Sequence, residues 1–384
     1  MPDNPPEPGI LLVNQIGGDI RRRVRLAELS PGDKLPSMRQ LSREYGCSVG
    51  TLQQAISALT REGLLDSSER KGVFVAQSSN RPRFIVLALA SLDTVGNIVT
   101  RVQDAIKQTP YHLIILAAQG DFGDQVEMLD LLVKNQVAGV ILCPPTDNRF
   151  APAVKRFLTH GIPCVQATIR LDGIDVDAVV FDGVEAGRLA FGHLLKKGHR
   201  RIGYVDLGSQ VPSFCDIRTG ADMALREYGL RFSDLAVSYV EGDVVDLSEP
   251  HANGTRATQS LLAEHPDLTA VVGINPVITT GIARAVHESG RSVPKDVSVV
   301  AIGDDGSFAL SRPQITAVWT RKSVAAGRAA VRLCQILDGD AGSPRVMQVM
   351  PRLVERNSVL DLTEQDATEE TPRHHEPQET SRSQ

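Results

Sequence analysis

From Phe84 onward the chain repeats one pattern, a short apolar run followed by an amphipathic stretch and then another apolar run. The runs fall at 84–90, 112–117, 137–142, 164–168, 178–181, 201–205, 236–239, 270–274, 298–302 and 315–319. At four to seven residues each, and bounded by segments of helical period, they are expected to be strands. Parallel strands need a long crossover, normally a helix, so this alternation predicts parallel sheets with helices on both faces: an α/β fold class. Open sheets of this kind take ligands beyond the carboxyl ends of their strands.

The first 77 residues follow another grammar. Leu12, Ile16, Ile20 and Val24 recur every fourth residue and predict a helix from about 11 to 27. Arg21, Arg22, Arg23 and Arg25 lie near its end, as a solvated basic face or as phosphate contacts. Pro31-Gly32-Asp33 reads as a turn, Ser37 with Gln40 as a capping box, and Gly46 as the stop of a second helix. Ser48 caps a third helix whose buried stripe is Leu52, Ala55, Ile56 and Leu59, ended by Gly63. Two helices joined by so short a turn form a helix-turn-helix. Residues 64–66, a polar tip at 68–72 and residues 73–76 form a hairpin wing.

These signals divide the chain into a disordered lead at 1–9, a winged helix-turn-helix at 10–77, a linker at 78–83, an α/β unit at 84–361 and a disordered tail at 362–384. His374-His375 in the tail reads as a solvated pair. No apolar run approaches the ~18–20 residues of a membrane helix. Residues 1–9 lack the basic and apolar regions of a secretory signal. The five cysteines are scattered without CxxC spacing, which suits reduced thiols in a cytoplasmic protein and neither a disulfide framework nor a zinc site. Net charge is -5, and residues 1–83 carry twelve Lys and Arg against nine Asp and Glu. Motif order, not bulk charge, therefore carries the DNA-binding reading. No GxSxG, HExxH, Walker A or GxGxxG stands in a suitable setting, so neither an enzyme nor a cofactor is expected.

The segment PGDKLPSMRQLSREYGCSVGTLQQAISALTREGLLDSSERKGVFV resembles the winged-helix domain of GntR-family repressors, in order, over residues 11–77. The resemblance implies double-stranded operator DNA as partner. Ser48, Val49, Gly50, Thr51 and Gln53 would meet base edges, with Ser37 and Arg39 from the second helix and Lys71 and Gly72 at the wing tip. Val49 and Gln53 stand where many members carry Arg, so Arg-to-guanine readout is not expected; phosphate contacts still supply affinity. A winged helix used for protein contact is the bland alternative.

Residues 84–360 resemble the sensor domain of LacI/GalR-type repressors through VAGVILCPP, HGIPCVQA, VVFDGVEAGRLAFGHLLKKGHRRIGYV and RSVPKDVSVVAIGDD. This implies two Rossmann-like lobes joined by three crossovers, a periplasmic-binding-protein-like architecture with a ligand-sensing cleft. By resemblance Arg218 is the ligand-binding arginine and Asn275 matches the Asn of an Asn-Asp pair, with Pro276 in place of Asp. Gly303 falls where a ligand-binding Asp usually sits, leaving Asp304 or Asp305 as substitutes. Asp182 is a helix N-cap or a ligand acceptor, Phe214 a stacker or a packing residue, and Trp319 a core residue near the hinge; Asp121, Phe122 and Asp124 are candidates for the cleft mouth.

The expected function is a homodimeric one-component transcriptional regulator, a repressor by default, controlled by a small molecule of sugar-like type. The alternative is a constitutive DNA binder whose sensor serves dimerisation or protein contact.

Overall fold

The computed structural model describes residues 8–25, 28–61, 63–68, 72–76, 84–90, 96–118, 122–135, 137–240, 250–304, 306–340 and 342–363. The head comprises α1 (Pro8–Arg25), α2 (Met38–Glu44), α3 (Val49–Arg61) and the antiparallel pair β1 (Leu65–Ser68) and β2 (Gly72–Val75). Its core is Ile16 and Ile20 of α1, Leu41 of α2, Leu52, Ala55, Ile56 and Leu59 of α3, and Leu65 and Val75 of the wing. The helical periodicity thus gives the face that packs. Helix α1 starts at Pro8, so residues 8–9 are helical and not part of a lead. The PGDKLP segment lies along β2: Leu35 N–H donates to the Val73 carbonyl at 2.9 Å, and Val75 N–H to Asp33 at 2.8 Å.

Among the described residues two six-stranded sheets follow. The first lobe holds β3 (Phe84–Leu89), α4 (Gly96–Ile106), β4 (His112–Ala117), α5 (Phe122–Lys134), β5 (Gly139–Cys143), α6 (Ala151–Leu158), β6 (Cys164–Thr168) and β7 (Ala178–Phe181). The chain then crosses over into α7 (Gly183–Lys196), β8 (Ile202–Asp206), α8 (Pro212–Arg226), β9 (Ala236–Tyr239), α9 (Pro250–Glu264), β10 (Ala270–Gly273), α10 (Pro276–Glu288), β11 (Ser298–Ile302) and β12 (Thr316–Trp319). It returns through α11 (Lys322–Leu337) and β13 (Val346–Val349), and crosses a third time to β14 (Arg352–Val354). Strand order is β13-β7-β6-β5-β3-β4 in one lobe and β14-β12-β11-β10-β8-β9 in the other. All pairs are parallel except β12 with β14.

Each apolar run named from sequence contains a strand, with ends shifted by at most two residues. Two strands escaped the pattern, β13 and β14, because VMQVMPRLV is a single run split by a proline. Each half is short, and its strand state rests on pairing with β7 or β12.

The second lobe is held by helices in backbone contact. A Cβ on Gly187 would lie 2.1 Å from the Ile217 carbonyl oxygen, and one on Gly220 would lie 1.8 Å from that of Val184. Only glycine lets α7 and α8 approach so closely. The KGHRRI run also acquires a structural reason. His199 is 1% exposed; its Nε2 lies 3.1 Å from the Leu360 carbonyl and its Nδ1 2.9 Å from Thr269 Oγ1. A carbonyl only accepts, so Nε2 carries the proton and the neutral ring receives the threonine hydroxyl. This ties the start of β8 to the end of the chain's last described segment.

Burial lowers the His199 pKa below the ordinary histidine value, and does the same at His193. Stability from these neutral rings is complete above the unfolded pKa of about 6.5 and is lost as pH falls toward the folded value, because the unfolded chain takes up the protons first. Thermal melts from pH 7.5 down to 5.5 should therefore show falling stability. His199→Gln should start lower and fall less steeply; parallel slopes for the two proteins would contradict this account.

Candidate DNA interface and effector cleft

The head presents α3 outward. Ser48 Oγ accepts the Thr51 N–H at 3.1 Å and lies 2.8 Å from Thr51 Oγ1, so the two hydroxyls fix the helix start. Val49, 44% exposed, and Gly50 and Gln53 lie on the open face. Gly50, Gln53, Gln54 and Ser57 together line a shallow depression. Gln54 and Ser57 were missed from sequence, although i, i+3, i+4, i+7 spacing from Gly50 placed them opposite the buried stripe.

On α2, Ser37 completes its capping box with Gln40, and Arg39 is exposed. Gly72 opens β2 with φ +103, and a Cβ there would meet Lys34 Cε at 3.0 Å, so the wing base needs glycine. Lys71 lies outside the described residues. Two of the arginines at the end of α1, Arg22 and Arg23, are engaged with acids. Arg22 pairs with Asp19 at 2.8 Å, Arg23 with Glu44 at 3.3 Å, and Tyr45 donates to Asp19 at 2.7 Å. Burial and that hydrogen bond push the Tyr45 hydroxyl up to about 12. This cluster braces α1 against α2.

The cleft lies where the carboxyl ends of both sheets meet. Three links cross it, each of one or two residues, between β7 and α7, β12 and α11, and β13 and β14. Ser209 Oγ, after β8, donates to the Thr146 carbonyl, after β5, at 2.6 Å across the gap. Arg218 reaches back along the same loop. Its Nε donates to Asp206 at 2.7 Å and its Nη2 to the Ser209 carbonyl at 2.8 Å. Asp206 is fully buried, and its second oxygen and the Tyr204 hydroxyl are buried without a hydrogen-bond partner.

Of the expected ligand residues, Asn275 and Asp304 follow the neighbouring strands β10 and β11, beside Asp206 at the end of β8, which the sequence reading did not single out. Asn275, Asp182 and Asp304 already have local partners. Asn275 caps α10 through the Ile278 N–H at 2.7 Å, and Asp182 caps α7 through that of Glu185 at 2.9 Å. Asp304 pairs with Arg356 at 2.5 Å and accepts the Gly306 N–H at 2.9 Å. Phe214 is 5% exposed in the core, whereas Trp319 is 36% exposed, with the Arg321 guanidinium 5.6 Å from its ring centre. Asp121 and Asp305 lie outside the described residues.

The structure also brings Arg170 toward Asp216 across the first crossover: burial raises the Asp216 pKa, Arg170 opposes the shift, and Asp182 adds to it. Thr168 and Arg321 hold φ of 72° and 55° at the end of β6 and at the second crossover. Left-handed backbone in bulky residues concentrates at functional sites.

The two departures at the β10 and β11 ends are one packing arrangement. Gly303 adopts φ +107, and a Cβ there would lie 3.0 Å from Pro276 Cδ. Pro276 sits in the first turn of α10, where its fixed φ suits a helix start and its missing N–H costs nothing.

A winged helix with an open polar recognition face, joined to two α/β lobes whose strand ends face each other, defines a DNA-binding regulator with a two-lobed sensor. The comparisons agree. Residues 12–75 match the gntR family of bacterial regulatory proteins, and residues 191–359 match the periplasmic binding protein-like domain. The "Arabinose metabolism transcriptional repressor" of Geobacillus stearothermophilus is 22% identical over 91% of this chain and 97% of its own length. The "HTH-type transcriptional regulator MalR" of Streptomyces coelicolor is 29% identical over 83% and 91%. A solved "transcriptional regulator CelR-cellobiose complex" superposes with TM-score 0.64 at 20% identity, covering 84% of this chain and all of that one. The chain is a transcription regulator and not an enzyme, with a gntR-type helix-turn-helix joined to a periplasmic binding protein-like domain, and the relatives it matches are regulators of the LacI/GalR type.

Two stability outcomes follow from the cleft geometry. Gly303→Ala should cost about 1–3 kcal/mol through backbone strain and overpacking, and adding Pro276→Ala should return part of it. Additive losses in a denaturant double-mutant cycle would show the positions to be uncoupled. Arg218→Ala strands a buried carboxylate and should cost about 3–5 kcal/mol; an unchanged melting temperature would refute that role.

Proposed function

We propose that this protein is a cytoplasmic one-component repressor, homodimeric on a two-fold operator, released when a sugar or sugar derivative closes the interlobe cleft. The observation that carries the reading is the open α3 face of Val49, Gly50, Gln53, Gln54 and Ser57 on the same chain as two lobes bridged by short crossovers. The names of the arabinose repressor and the cellobiose complex support the effector class.

In this reading the operator is held by Ser37, Arg39, Thr51, the wing at Lys71 and Gly72, and the α3 face. Arg39 and Lys71 meet phosphates, while Gln53 and Val49 meet base edges. Arg218, Asp182, Asn275, Phe214 and Asp304 shape the effector cleft from the second lobe and its hinge. Arg218 and Asp304 act through their partners Asp206 and Arg356, as braces for the loops that meet the ligand. Strand β4 supports the dimer: it ends its sheet with Ile114 and Ile115 40% and 44% exposed, an apolar edge that self-association would cover. Closure needs a ligand that favours one lobe arrangement, and a coupling of about 1–3 kcal/mol changes operator affinity roughly 5- to 150-fold.

Gel-shift titration of the full chain on its own promoter region tests this. Arg39→Ala and Thr51→Ala should each weaken binding about tenfold while the sensor's thermal transition stays in place. Unchanged affinity in both would remove the head-to-DNA assignment. Operator release by a member of a sugar and sugar-derivative panel is expected; intact DNA binding with no release by any member would favour the constitutive reading.

A further inference from the structure

The acids and cations around the cleft are unequally satisfied. Asp206 is paired with Arg218, Asp304 with Arg356, and Asp147 with Arg149. Asp182 caps a helix, and Asp216 has the charge of Arg170 nearby without an ion pair. Lys322 has no such partner. It opens α11 directly after the second crossover, and among the described residues it makes no hydrogen bond or ion pair.

Its surroundings locate it at the cleft floor. The nearest titratable neighbour is the Cys143 thiol at the carboxyl end of β5, which itself lies beside Thr168 at the end of β6. Burial lowers the Lys322 pKa even though the residue is still partly exposed, which fits an ammonium at the bottom of a recess. Arg321, one residue earlier, has its Nε buried without a hydrogen-bond partner and its guanidinium against Trp319. No side chain caps the start of α11, whose 16 residues direct a partial positive charge at the same point. A neutral polyol needs carboxylates to accept its hydroxyl protons, and among the described residues Asp206, Asp304, Asp147 and Asp182 already serve neighbouring cations or a helix end. An oxyanion needs what is left over: an unpaired ammonium, a guanidinium N–H and a helix N-terminus.

We propose that the effector is an anionic small molecule, a sugar acid or sugar phosphate, whose oxyanion is held by Lys322 with Arg321 at the start of α11. The inference rests on the interlobe cleft being the effector site. Carboxylate and phosphate share the recognising chemistry, and separate probes distinguish them.

The test is calorimetric titration of the full chain, wild type and Lys322→Met, with gluconate, glucose 6-phosphate, inorganic phosphate and glucose. At least one anionic probe should bind wild type and bind the variant about tenfold more weakly or worse, whereas Lys322→Arg restores binding and glucose does not distinguish the proteins. A gluconate preference names the carboxylate, and a glucose 6-phosphate or phosphate preference names the phosphate. In case the Met variant misfolds, reductive methylation of Lys322 in wild type, read by mass spectrometry, should be slowed by the binding anion and not by glucose. The inference is overturned if no anionic probe binds wild type, if anions bind both proteins equally, or if labelling is unaffected. Operator release by neutral sugars, indifferent to Lys322→Met, would sink this inference and leave the repressor reading standing. Anion binding at Lys322 with no effect on operator affinity would do the reverse.

Discussion

The constraint on which the sensor depends is the brevity of its three crossovers. One residue separates β7 from α7, and two separate β12 from α11 and β13 from β14. Links this short cannot let the lobes drift apart, so the carboxyl ends of both parallel sheets face one gap. They also leave little freedom where the chain turns, which fits the left-handed backbone of Arg321 at the second link. The Ser209–Thr146 bond spans the gap. Because Arg218 grips the Ser209 carbonyl while anchored on buried Asp206, that contact between the lobes is braced from inside the second lobe.

That bracing changes what the cleft can recognise. Side chains that would accept sugar hydroxyls serve as helix caps or ion-pair partners, and the Pro276–Gly303 contact fills the space of a further carboxylate. Among the described residues, Lys322 makes no ion pair and Arg321 Nε has no hydrogen-bond partner. In the proposed anion site, recognition would fall not on the loops of the second lobe but at the hinge, where a bound group touches the elements that must move.

The head shows a similar division of labour. Arg22 and Arg23 on α1 are paired with Asp19, Glu28 and Glu44 and hold helices together. The recognition face is left to small and amide side chains, with little charge of its own. In the proposed reading, specificity on such a face comes from close approach and amide hydrogen bonds, and affinity from Arg39, the wing and the doubling of heads in a dimer. Gly18 of α1 and Gly339 after α11 pack backbone to backbone, a Cβ on either coming within 3.2 Å of the other's carbonyl oxygen. The head therefore sits against the same helix whose other end carries Lys322.

The sequence by itself determined the element types, the head and the α/β class, because these follow from periodicity and capping, which are local. The apolar stripe of α3, the Ser37–Gln40 box and ten of the strands were legible for that reason. Strands β13 and β14 were not, since four- and three-residue segments around a proline become strands only through their partners. Tertiary structure alone decided the state of each polar group. A sequence names Arg218, Asp304, Asn275 and Lys322 as chemically capable, but whether each is free depends on what chain from 12 to 52 residues away, or from another lobe, is folded against it. Burial makes that decisive: a charge in a recess costs free energy unless it is paired, and only the folded chain shows that Asp206 has its arginine while Lys322 has no ion pair among the described residues.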